Sequence, residues 1–139
     1  MLSGLILCYQ DAMVMGGQIQ TLLKRKMRIT IGKYRFTVIL YDSATAAALR
    51  SLLPLTLEMI ELNGNRKYAE LSDTLPVNDS VPEIINSGDL MLYGSSTLVL
   101  FYKTFSTTYS YTEIGRIENV SDLADALGSG DVMIIYEQD

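Results

Sequence analysis

The side chains that could do chemistry in this chain are few and unevenly spread. Tyr93, Phe101, Tyr102, Phe105, Tyr109 and Tyr111 fall within twenty residues, the last of them in a hydroxyl-rich run, KTFSTTYSYT. Aromatic bodies ordinarily fill cores, yet six so close exceed what the core of two strands needs. Some must then be exposed or line a concavity, where tyrosine joins apolar contact to a hydrogen bond. Arg116 follows this run and offers a planar, permanently charged donor for the rim of such a pocket. Its plainer role is an exposed ion pair with Glu113 or Glu118, which contributes little. Glu58 and Glu61 have the residue type for paired acids, but three residues apart on a strand they face opposite sides and read as solvated. Asp89, after Gly88 at the mouth of a hairpin, reads as an acceptor for nearby backbone amides rather than a catalytic carboxylate.

Much chemistry is excluded outright. The chain has no histidine and one cysteine, Cys8. Ser-His-Asp and Cys-His catalysis, histidine acid–base work and imidazole- or thiolate-cluster metal sites are therefore out of reach. No glycine sits in a strand–GxGxxG–helix context, so dinucleotide binding has no support. The expectation is no metal and no cofactor. Formal charge is −5, and residues 27–139 carry 8 basic against 15 acidic side chains. Such a surface is a poor partner for a phosphate backbone, so nucleic acid is not expected.

No apolar run approaches the ~20 residues of a membrane span, so no membrane partner is expected. A cytoplasmic protein is the expectation, with a secreted or lipid-anchored form as the alternative. Cys8 resembles a lipoprotein cysteine, but no basic residue precedes the apolar stretch and Leu7 stands where a small residue is wanted.

The elements that must position these residues are short. Residues 1–26, interrupted by Gly16-Gly17 and ending in Lys24-Arg25-Lys26, read as an appendage outside the domain, or alternatively as a docking arm. From Met27 the pattern becomes regular and a domain spans 27–139. Arg28–Ile31 alternates as a half-buried strand, Gly32-Lys33 turns, and Tyr34–Leu40 returns. Asp42-Ser43 offers capping oxygens to a helix over 44–53, which Pro54 ends. Leu55–Leu62 and Arg66–Leu71 form a hairpin across Asn63-Gly64. Residues 72–88 read as a long surface loop. Strands follow at 90–93, 97–102, 113–117 and 131–137, with a second helix from Ser121 to Leu127 stopped by Gly128. The core should hold Ile29, Ile31, Phe36, Val38, Leu40, Leu57, Leu98 and Leu100. Many short hairpin-linked strands point to a mostly-β barrel or sandwich.

The segments MRITIGKYRFTVILYDSATAAALRSLLP, SGDLMLY, LVLFYK and YTEIGRI, in this order, resemble the bacterial and archaeal cyclophilin-like proteins. The resemblance covers residues 27–137 and implies a closed eight-stranded barrel capped by two short helices. True cyclophilins isomerise X-Pro bonds with an arginine that polarises the prolyl amide, a supporting glutamine and a wall of Phe, Trp and His. Here Trp and His are absent, and the strand where the arginine is expected offers Glu58. Phe101 is the one pocket aromatic that carries across. The expected function is a non-catalytic module that binds a short peptide or small molecule. Its candidate contacts are Tyr93, Phe101, Phe105, Tyr109, Tyr111, Arg116 and Glu58. The alternatives are a weak peptidyl-prolyl isomerase using Arg116, or an interaction subunit.

Overall fold

Eight of ten strands close on themselves, which leaves no unpaired edge in the main sheet. The computed structural model describes residues 25–139. The strands are β1 (Lys26–Ile31), β2 (Tyr34–Leu40), β3 (Leu55–Leu62), β4 (Arg66–Glu70), β5 (Ile84–Ile85), β6 (Asp89–Tyr93), β7 (Thr97–Phe101), β8 (Phe105–Ser106), β9 (Thr112–Ile117) and β10 (Val132–Gln138). Two helices accompany them, α1 (Ala44–Ser51) and α2 (Leu123–Leu127). The barrel order is β1-β10-β3-β4-β7-β6-β9-β2, all antiparallel, and β5 pairs with β8 outside it.

Alternation sets what points inward. Met27, Ile29 and Ile31 of β1, Phe36, Val38 and Leu40 of β2, and Leu98 and Leu100 of β7 fill the interior. Of the eight expected core residues only Leu57 is partly buried, although it packs against the same cluster. Ser43 caps α1 as expected, its Oγ accepting from Ala46 N at 3.1 Å. Ser121 does not cap α2. Its N and Oγ both bond Asn119 Oδ1, and the helix starts after Asp122 without a side-chain cap. The boundary at Met27 also moves. β1 starts at Lys26, Arg25 O accepts from Leu40 N at 2.6 Å, and Arg25 pairs with Asp42 at 3.0 Å. These two residues therefore belong to the barrel, while Cys8 and the rest of the expected appendage lie outside the described residues.

Two departures from simple alternation shape the outer surface. β6 and β7 are buried on both faces, so they read as nearly continuous apolar runs. Their outward residues Met91, Val99 and Phe101 join Ile85 and Tyr111 in a second cluster outside the barrel. The 72–88 segment is more than a surface loop. Leu75 enters the main core, Ile85 enters the second cluster, and Thr45 Oγ1 donates to Pro76 O at 2.6 Å. The other departure is a bulge: Leu90 pairs with Gly115 but Met91 pairs with Glu113. The extra residue, Ile114, lets both Ile114 and Gly115 face inward and turns Arg116 out to solvent.

Candidate functional site

The outward face of β4, β7 and β6 carries a groove of about 390 Å³, a size typical of small-ligand sites. Its position follows from register. Arg66 lies opposite Phe101, Tyr68 opposite Val99 and Glu70 opposite Thr97, while Tyr93 faces Thr97 from the other side. Period-two alternation puts all of these side chains on one surface. Val99 and Tyr111 form the floor with Tyr68, Tyr93 and Tyr109 stand up as exposed walls, and Leu62 and Asn63 of the β3–β4 turn close one end. That turn protrudes because Asn63 and Gly64 both take positive φ, 58° and 65°.

Aromatic packing stiffens the floor. Phe101 meets Tyr111 edge-on at 5.5 Å and Phe105 at 5.7 Å, and Tyr93 lies 5.7 Å from Tyr111. Tyr111 is held from behind by two backbone bonds with Ser80, each 2.9 Å. Burial pushes its hydroxyl pKa up, partly offset by the charge and hydrogen bond of Arg66, so it stays neutral at pH 7.

Arg66 is the charged centre of the site. Its guanidinium lies over the rings of Phe101 and Phe105, 5.2 and 5.4 Å from their centroids. Nε donates to Asn65 Oδ1 at 2.7 Å and Nη1 donates to the Tyr111 hydroxyl at 3.1 Å. Glu70 stands at the far end and accepts from Ser96 Oγ at 3.1 Å and Thr97 Oγ1 at 2.6 Å.

Of the residues singled out in the sequence, Tyr93, Tyr109 and Tyr111 converge on this groove, and Phe101 and Phe105 pack beneath Arg66. Arg116 and Glu58 do not join them. Arg116 pairs with Asp89, four residues along β6 from Tyr93 and so ~13 Å away. The bulge leaves it exposed on β9, outside the groove lining. Glu58 is exposed on β3 opposite Met133. Arg66 itself escaped the sequence reading. The alternation Arg66-Lys67-Tyr68 after Asn63-Gly64 could have flagged one outward and one inward cation, but the partner of each depends on strand order.

Lys67 is that inward cation. Its side chain is fully buried, and Nζ donates to Glu61 Oε1 at 2.9 Å, Gly128 O at 2.8 Å and Gly130 O at 2.6 Å. Glu61 is therefore not a solvated acid. Burial raises its pKa, but bonds from Tyr102 and Lys67 outweigh this and hold it below the ordinary range. Tyr102 is pushed up to about 12 by burial and by donating to Glu61. With every Nζ proton accepted, this cluster is structural. Asp89 behaves as expected of a turn aspartate: Oδ2 accepts from Asn86 N at 2.8 Å, and burial raises its pKa.

A larger cavity of about 500 Å³ lies beside the start of α1, between Tyr41, Thr45, Asn78 and Glu113. Two carboxylates line it, Glu113 and Asp42, the second of which pairs with Arg25. Among the described residues no group of His, Cys, Asp or Glu is placed to hold a metal ion, and no helix is long and apolar enough to cross a membrane.

The closed barrel agrees with the resemblance read from the sequence, and the model of the Cyclophilin-like family matches residues 29–137. The chain belongs to the cyclophilin-like family. None of the curated proteins matches it. The solution structure of the hypothetical protein AF2241 from Archaeoglobus fulgidus is similar, with a TM-score of 0.54 and 16% identity over 84% of this chain and 96% of that one. At that identity the likeness concerns the fold alone. Within this cyclophilin-like barrel β4, β6 and β7 supply Arg66, Tyr68, Glu70, Tyr93, Thr97 and Val99 and fix them firmly, while Tyr109 and Tyr111 come from the segment between β8 and β9.

Proposed function

We propose that this cyclophilin-like domain is a non-catalytic binding module whose groove takes a short peptide or a small molecule. The observation that carries the reading is the convergence of Tyr93, Tyr109 and Tyr111 around a single guanidinium. Exposed tyrosine rings offer apolar contact and a hydrogen bond while losing little side-chain entropy, which suits recognition. Nothing in the groove supplies a histidine or a nucleophile–base pair. The test is an NMR titration of the full chain with short peptides. Shifts confined to Tyr68, Tyr93, Tyr109 and the Arg66 Nε–H are expected, and shifts spread elsewhere on the barrel would count against the groove.

A second reading, a weak prolyl isomerase, has one observation in its favour: Arg66 lies over Phe101, the aromatic that the family resemblance carries across. Arg116, the donor first considered, is outside the groove, so Arg66 takes its place in this reading. The Trp and His of the usual wall remain absent from the sequence, and a groove that grips ground and transition states equally does not speed the twist. A coupled assay on an X-Pro tetrapeptide should match the uncatalysed rate at micromolar protein. Clear acceleration, abolished by Arg66→Lys, would replace the binding-module reading with this one.

A further inference from the structure

A guanidinium has five N–H donors and rarely leaves them idle when partly buried. In Arg66, Asn65 takes the Nε proton and Tyr111 takes one from Nη1. The remaining donors, including both on Nη2, meet no acceptor among the described residues. Ion pairs there join Arg25 to Asp42, Arg28 to Glu137 and Lys67 to Glu61, and none involves Arg66. Half-buried Arg50 also lacks a carboxylate, but Arg66 differs in lining a groove of aromatic side chains into which its free donors can reach.

We infer that Arg66 is a carboxylate anchor, so that the groove selects ligands bearing one free carboxylate on an apolar body. This deepens the binding-module reading and rests on it. The ring faces of Phe101 and Phe105 and the bond to Asn65 hold the guanidinium plane in place. Little rotamer freedom is then lost on binding, and a planar fork matches the two oxygens of a carboxylate. Phosphate fits less well. Lys67 points into the barrel, so no second cation joins Arg66 in the groove, and the net charge of −5 repels a dianion.

Glu70 sets the other end. Four residues along the same strand face it stands ~13 Å from Arg66. Its carboxylate disfavours a second anion and favours a donor or a cation. The span between them, over Tyr68 and Val99, matches an extended peptide of about three or four residues, at ~3.3–3.6 Å each. The ligand class is thus a short peptide with a free C-terminus, or an apolar monocarboxylic acid of similar length.

The experiment compares N-acetyl-leucyl-phenylalanine as the free acid and as its C-terminal amide, titrated into the full chain and followed by NMR. We expect the acid to bind ~10-fold or more tightly than the amide, since a charge-assisted pair in a partly dry site is worth at least that. Raising salt from about 50 mM to about 500 mM should weaken the acid and leave the amide nearly unchanged. Arg66→Gln should bring the acid down to the affinity of the amide, and Arg66→Lys should retain part of the preference. If Arg66→Gln fails to fold, the acid–amide and salt comparisons on the native chain still decide. Equal shifts at Tyr93 and Tyr109 from acid and amide would sink the anchor and leave the groove as a binding site. No shift from either at millimolar concentration would sink both. Tighter binding of phenyl phosphate than of the acid would overturn the carboxylate preference.

Discussion

Replacing Lys67 by methionine tests whether one end of the barrel is held by the buried ammonium. Methionine keeps much of the stem and removes the charge. Three charge-assisted bonds are lost, to Glu61, Gly128 and Gly130, each worth ~1.5–3 kcal/mol in isolation. They do not add in full. Gly128 and Gly130 are exposed, so water replaces the lysine at their carbonyls. Glu61, with its side chain 20% exposed, keeps its bonds from Tyr102 and from Gly64 N. Breaking a buried pair by removing one partner costs ~3–5 kcal/mol, and this partial hydration puts Lys67→Met near the lower end, ~3 kcal/mol. The double variant Lys67→Met/Glu61→Leu removes both charges and should recover at least ~1 kcal/mol of that loss. Urea unfolding at pH 7 with linear extrapolation reads both numbers. A loss below ~1 kcal/mol for the single variant, or strict additivity in the double, would refute the clamp.

Gly115→Ala should cost several kcal/mol in the same assay, because a Cβ there meets Ile39 O and then Leu40 Cα at 3.1 Å, both main chain; a neutral result would mean that the β2–β9 contact gives way. Phe101→Ala should cost ~3–5 kcal/mol as a fully buried aromatic, and should also weaken ligand shifts at Tyr111 by removing the ring packed against Tyr111 and Arg66. Stability should fall on acidification below the ordinary carboxylate range. Glu61 has a depressed pKa in the folded state, so its contribution is present above the unfolded value and lost as pH drops through the folded one; Glu61→Gln should flatten that part of a pH series of melts. Removing residues 1–24 should shift the melting temperature by no more than a few degrees, since Arg25–Asp139 already closes the barrel; loss of a cooperative transition would contradict this.

The amino-acid sequence by itself determined the strands, the turns and one face of the core. Ile29 and Ile31 alternate with polar neighbours, Asn63-Gly64 tolerates positive φ, and Pro54 cannot continue a helix. These are local steric and solvation effects, carried by residues within a few positions of one another. The aromatic excess of 93–111 was legible for the same reason: two strands cannot bury six rings. Partnership across the barrel was not legible. Arg66 and Lys67 are adjacent cations with the same chemistry, yet alternation sends one outward onto Phe101 and Phe105 and the other inward to Glu61 and the carbonyls after α2. Arg116 looked the better donor until one extra residue in β9 turned it to solvent away from the groove. Strand order, register and a single bulge decide which side chains meet. They are set by closure of the whole sheet, an interaction among segments tens of residues apart that no local pattern records.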